Sequence, residues 1–184
     1  MQLLRVSFIL LLLTSSMTIQ ADGAACPTAL SHTVQTLVDN KPVNLCKAYL
    51  GKVVLIVNTA SKCAFTYQYE RLEKMYDRYK SQGLVVLGFP SNDFAAQEPG
   101  TEKKIRNFCR MTYGVQFPMF SKSRVAADNP DPLYATLGKL SGEFPRWNFH
   151  KYLINRQGEL VASYASHIEP NDKQLVNKIE ALLR

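Results

Sequence analysis

The stretch that sets the fold is Val53–Gln68, VVLIVNTASKCAFTYQ. Its first five residues are apolar and mostly β-branched, the composition of a strand buried on both faces. Small polar residues follow, and a helical pattern begins within a few positions of them. Strand, turn and helix are therefore expected here, with one thiol, Cys63, on the turn. The helix start offers unpaired backbone N–H groups and the positive end of a dipole. Cysteines in such surroundings are the reactive ones, which makes Cys63 the candidate reaction centre. The dipole fades beyond the first helical turn, and the pattern starts a few residues after Cys63. Other donors must therefore come from elsewhere in the chain.

Downstream, Tyr67–Ser81 reads as an amphipathic helix with Tyr69, Leu72, Met75, Tyr76 and Tyr79 near one face. Gly83 stands where a helix stops in a left-handed residue. Leu84–Phe89 is a second continuous apolar strand, so the two strands form a parallel pair with a right-handed crossover. Pro90–Gly100 is then a loop at the carboxyl end of the sheet, where α/β folds place their sites. Glu102–Tyr113 is helical, with Ile105, Phe108 and Cys109 on one face, and Gly114 ends it. A short apolar piece, Phe117–Phe120, precedes a helix over Asp131–Leu140. Asn148–Ile154 and Leu160–Tyr164 flank the turn signal Asn155–Gly158, and Pro170–Arg184 is a final amphipathic helix. The order β-α-β, α, β-β-α is that of a thioredoxin fold: α/β, a central mixed sheet flanked by helices, with an N-terminal β-hairpin and a helical insertion. No repeat or linker interrupts residues 22–184, which are expected to form a single domain.

Upstream, Leu30–Leu37 and Val43–Cys46 flank the turn-rich Asp39–Pro42 and read as the hairpin. Cys26 precedes its first piece and Cys46 closes its second. The reading favours a bridge between them, worth ~3 kcal/mol for a loop of that size. Two separate core residues, or acylation of Cys26, are the alternatives. Residues 1–21 carry a basic start, a short apolar core over Val6–Leu13 and a small polar end. That layout predicts a secretory signal peptide cleaved after Ala21 or Ala25, hence an exported, periplasmic or secreted protein. The apolar core is far short of the ~20 residues that a membrane span needs. The net charge of +7 is spread over scattered lysines and arginines, which argues against a nucleic-acid partner or a stable membrane association. The four cysteines include no C-x-x-C pair, and His32, His150 and His167 lie far apart, so no metal site is expected.

Three segments, Asn58–Thr66 (NTASKCAFT), Gly88–Gly100 (GFPSNDFAAQEPG) and Trp147–Phe149 (WNF), resemble the signature segments of the glutathione peroxidase family, in its order. The resemblance runs from about Lys52 onward. It implies a thiol peroxidase that reduces hydrogen peroxide or organic hydroperoxides without a metal, flavin or nucleotide cofactor. Cys63 would be the peroxidatic cysteine, with Gln97, Trp147 and Asn148 around it. Two side-chain amides and an indole supply N–H donors to the sulfur and the leaving oxygen and add no competing negative charge. Cys109, 46 residues after Cys63, stands at the resolving position of the thioredoxin-dependent members. It would condense with a Cys63 sulfenic acid to an internal disulfide that an external dithiol reduces.

Several residues depart from the family pattern. Ala64, Ala95 and Ala96 replace glycine or glycine-like residues, Asp93 replaces a common glutamine, and Ser91 a common non-catalytic cysteine. The segment between Asn129 and Trp147 lacks the insertion that tetrameric members use, so a monomer, or at most a weak dimer, is expected. No arginine cluster suited to glutathione is evident, which favours a thioredoxin-like reductant. Two rivals remain at this stage: a thiol–disulfide oxidoreductase acting on proteins, and a non-enzymatic redox sensor.

Overall fold

The computed structural model describes residues 25–184. The expected signal peptide lies outside them. The central sheet has four strands, in the order Leu84–Pro90 (β4), Val53–Thr59 (β3), Lys151–Ile154 (β5) and Leu160–Tyr164 (β6). β3 (Val53–Thr59) and β4 (Leu84–Pro90) run parallel, in register from Val53 opposite Leu84 to Thr59 opposite Pro90. β5 (Lys151–Ile154) runs antiparallel to β3, and β6 (Leu160–Tyr164) antiparallel to β5. All seven residues of β3 and all seven of β4 are buried, as their unbroken apolar runs demanded.

Alternation along β3 divides the interior. Val53, Leu55 and Val57 point into one apolar cluster, and Val54 and Ile56 into another. The first cluster packs against α2 (Gln68–Tyr79), α3 (Glu102–Tyr113) and α5 (Lys173–Leu183). The second packs against α4 (Pro132–Ser141) and the N-terminal segment. At about 1.5–3 kcal/mol for each fully buried aliphatic side chain, these two faces supply most of the drive to fold. Cys63 and Cys109 both belong to the first cluster.

The N-terminal hairpin pairs β1 (Thr33–Gln35) with β2 (Pro42–Asn44), and α1 (Leu45–Tyr49) follows directly. Cys46 was expected to close the second strand; it lies in α1 instead, because Asn44 caps a helix by accepting from the Lys47 N–H at 2.9 Å. The bridge to Cys26 is formed, with the Cα atoms 6.1 Å apart. Other elements are shorter than the sequence suggested. α2 gives way to a 3-10 turn at Lys80–Gln82 before Gly83, at φ 103°, reverses the chain. Asn148–His150 does not join β5, because Phe149 turns left-handed at φ 67°.

Candidate active site

Cys63 sits between β3 and α2 on a tight turn held by one side chain. Thr66 Oγ1 accepts the Cys63 N–H at 2.9 Å and donates to the Ala60 carbonyl at 2.9 Å. The Phe65 N–H then points at Cys63 Sγ, 3.4 Å away. α2 starts only at Gln68, so the donor that reaches the sulfur comes from this turn and not from the helix end. Cys63 itself is 8% exposed.

The loop after β4 closes on that turn. The Lys62 N–H donates to the Gln97 carbonyl at 3.0 Å, and Ser61 Oγ donates to Glu98 Oε2 at 3.1 Å. Asn92 Oδ1 accepts the Glu98 N–H at 2.8 Å, which gives this turn residue a definite structural role. Ala95 and Ala96 adopt φ values of 52° and 51°, a left-handed conformation that costs a non-glycine residue about 1–2 kcal/mol. The two alanines therefore carry strain in this loop.

Asn148 arrives from the other side of the sheet. Its Nδ2 donates to Gln97 Oε1 at 3.1 Å, so the structure brings these two predicted residues together. Its Oδ1 is buried with no partner. Trp147 packs against the Cys63 cluster, its ring 5.7 Å from that of Phe94. None of the three side chains bonds to Cys63 Sγ in this state. The Asn148 amide is engaged with Gln97 instead.

Sequence reasoning passed over the residue that presents Trp147 and Asn148. Asn58, fully buried at the end of β3, donates from Nδ2 to the Trp147 carbonyl at 3.1 Å and accepts the His150 N–H on Oδ1 at 2.9 Å. Its own carbonyl accepts the Phe149 N–H at 2.6 Å. These bonds hold the strained Phe149 turn, and a buried polar residue inside an apolar strand was the available signal. Lys151, also fully buried, donates to Gln68 Oε1, the Ser166 carbonyl and the Ile168 carbonyl, tying β5 to the start of α2. Burial pulls its pKa down to about 7.

Cys109 is 1% exposed on the inward face of α3, and both it and Cys63 are free thiols. Burial pushes the Cys109 thiol up to about 11. Beside it lies Tyr69, wholly buried, whose hydroxyl makes no hydrogen bond. The acidic side chain in this region is Glu98, 1% exposed; burial raises its pKa, and Ser61, Lys122 and Lys62 oppose the rise.

A thioredoxin-fold sheet thus carries a free thiol on its β3–α2 turn, bonded through Lys62 to the loop that bears Gln97. The chain belongs to the glutathione peroxidase family: the family model for glutathione peroxidase matches residues 31–138. A fission-yeast (Schizosaccharomyces pombe) protein, "Glutathione peroxidase-like peroxiredoxin gpx1", is 49% identical over 137 residues, covering 72% of this chain and 85% of its own. "Hydroperoxy fatty acid reductase gpx1" of a Synechocystis species is 44% identical over 156 residues, covering 79% and 90%. Among solved structures, "Crystal structure of Trgpx in apo form" superposes with a TM-score of 0.68 at 36% identity, covering 85% of this chain and 95% of its own. The chain is accordingly a thiol-dependent peroxidase.

Proposed function

We propose that Cys63 attacks the peroxide O–O bond and becomes a sulfenic acid, that Cys109 resolves it to an internal disulfide, and that a thioredoxin-like dithiol restores both thiols. In this reading Gln97, Trp147 and Asn148 turn their N–H groups to the sulfur and the departing oxygen as charge develops. One observation carries the proposal. Of the four cysteines, one pair is closed as Cys26–Cys46, while Cys63 and Cys109 stay reduced in a single buried cluster. Bridging them requires Cα atoms within roughly 7 Å. α3 yields at its C-terminal end, where the Gly114 and Val115 N–H groups hold the carbonyls of Arg110 and Cys109.

Organic hydroperoxides fit alongside hydrogen peroxide. A groove of about 440 Å3 adjoins the Cys63 turn, floored by Pro99, Ile105 and Phe108 and edged by Lys62 and Lys104. The name of the Synechocystis relative supports a substrate with an apolar tail. We assign the enzyme to an exported compartment as a monomer that guards against oxidative stress.

Disulfide mapping by mass spectrometry, before and after one equivalent of hydrogen peroxide, tests the cycle. A Cys63–Cys109 peptide is expected only after oxidation, with Cys26–Cys46 present throughout. Oxidation that leaves Cys109 alkylatable would remove it from the cycle.

A further inference from the structure

Among the described residues Lys151 is the one lysine or arginine that is buried, and the thiol cycle makes no use of it. It stands on β5 two positions before Leu153, so its side chain leaves the sheet on the face that also holds Cys63. Its partners are three neutral oxygens: Gln68 Oε1 at 2.6 Å, the Ile168 carbonyl at 2.5 Å and the Ser166 carbonyl at 3.3 Å. Three acceptors match the three donors of an ammonium, whereas a neutral amine has two. The adjoining Glu169 carboxylate is taken by the Tyr67 hydroxyl, at 2.8 Å, and by Arg71. A buried ion held by neutral dipoles alone is costly to desolvate. A simple tie between β5 and α2 could be made as well by apolar side chains of similar volume. What the charge adds is therefore to be sought at the far end of its bond to Gln68.

Gln68 is fully buried at the first position of α2, and its amide is fixed at both ends. Oε1 accepts from Lys151, and Nε2 donates to the Ser166 carbonyl at 2.8 Å. The Gln68 N–H donates in turn to the Phe65 carbonyl at 2.9 Å. The Phe65 N–H points at Cys63 Sγ, 3.4 Å away. Every link from the ammonium to the sulfur is thus a hydrogen bond or the covalent frame of one residue. The other half of the turn is held separately, by Thr66 Oγ1 between the Cys63 N–H and the Ala60 carbonyl. Thr66 secures the Cys63 backbone, and Gln68 secures the Phe65 peptide.

We propose that Lys151 is a positioning residue for Cys63: by anchoring Gln68 it holds the Phe65 peptide in the orientation that aims its N–H at the sulfur. This rests on the reading of Cys63 as the thiol that meets the peroxide. A hydrogen bond donated to the charged form of a thiol favours that form, so the aim of the Phe65 N–H sets how readily Cys63 ionises. An ammonium suits the anchoring position for two reasons. A hydrogen bond from a charged donor is roughly twice as strong as a neutral one. An ammonium also has no acceptor, so it admits one orientation of the Gln68 amide, with Oε1 toward Lys151 and Nε2 toward Ser166. A neutral amide in its place would tolerate either orientation and would leave the start of α2 less firmly set.

Full-length wild type, Lys151→Met, Gln68→Met and the double variant test this, methionine being unbranched like both side chains it replaces. Ionisation of Cys63 is read from the pH dependence of its alkylation by iodoacetamide, followed on the Cys63 peptide by mass spectrometry. Its oxidation by one equivalent of hydrogen peroxide is followed by the fluorescence of Trp147, the sole tryptophan, and disulfide formation by mass spectrometry. Lys151→Met is expected to slow Cys63 oxidation about tenfold and to move the alkylation midpoint up by about one pH unit. The later step from sulfenic acid to disulfide should keep its wild-type rate. Gln68→Met should reproduce both effects, and the double variant should be no slower than either single one, because all three remove the same link. A folded Lys151→Met protein with the wild-type oxidation rate and alkylation profile would overturn the proposal. So would additive losses in the double variant. Slowing of oxidation and disulfide formation by one factor, with the alkylation profile unmoved, would also overturn it, as the mark of a purely structural lysine. Gln68→Met leaves the ammonium its two carbonyl acceptors, so it carries the test where Lys151→Met does not fold; oxidation at the wild-type rate in Gln68→Met overturns the proposal by itself. A Cys63→Ser enzyme that still consumes peroxide would instead overturn the assignment of Cys63.

Discussion

Cys63 and Cys109 share one apolar cluster, yet the fold treats them in opposite ways. Cys63 stands on a turn, with a backbone N–H aimed at its sulfur. Cys109 stands on the inward face of a helix, where burial holds its proton on. In the proposed cycle the difference keeps two thiols from reacting at the wrong time: Cys63 would meet the oxidant first, and Cys109 would react only after Cys63 has changed state.

Exchanging each thiol for serine breaks the comparison most severely. Cys63→Ser should reduce peroxide consumption with thioredoxin and its reductase to the background rate; unchanged consumption would dismiss Cys63 as the centre. Cys109→Ser should consume one equivalent of peroxide and then stall, leaving a trappable sulfenic acid on Cys63. Steady turnover in that variant would show that resolution comes from outside the chain.

Asn58 supports only the Cys63 side, through the turn that carries Trp147 and Asn148. Asn58→Ala leaves the Trp147 carbonyl and the His150 N–H buried without partners. It should lower the free energy of unfolding by about 3 kcal/mol and slow Cys63 oxidation more than it slows resolution. Urea unfolding and single-turnover kinetics check the two halves of that statement.

Acid should weaken the same region. Burial keeps His150 neutral down to about pH 4, with Glu143 opposing that shift and Lys151 adding to it. In the unfolded chain it takes up its proton near pH 6.5. The unfolded state therefore binds more protons between those values, and stability falls as pH drops from about 6.5 to about 4. The loss is on the order of 3 kcal/mol. Urea midpoints across that range should show it, and His150→Gln should flatten the curve.

The smallest effect belongs to the loop. Ala95→Gly should stabilise the protein by no more than about 1 kcal/mol, because relief of the left-handed strain is partly offset by greater freedom in the unfolded chain. A thermal melt that moves downward would show that the alanine methyl packs usefully.

Much of the architecture was legible because it follows from local pattern. Two unbroken apolar runs could only be central parallel strands, and Gly83 and Gly114 both cap in the left-handed region as their positions suggested. The helix over Glu102–Tyr113 has the bounds read from the sequence. α1 was missed, since a five-residue helix leaves too little periodicity to detect and its Asn44 cap also suits a turn. The full turn at Phe149 was missed as well, because an aromatic residue in an apolar context favours a strand.

Local pattern determined that Cys63 would follow a buried strand, and the resemblance of three segments to the glutathione peroxidase signatures singled out Gln97, Trp147, Asn148 and Cys109. Tertiary structure decided the rest. It chose the Phe65 N–H as the donor to Cys63, made Asn58 the clamp of a distant turn, and packed Cys109 into one apolar cluster with Tyr69 and Cys63. Such relations join residues tens of positions apart, and they exist only once the two faces of the sheet are packed and water has been excluded from between them.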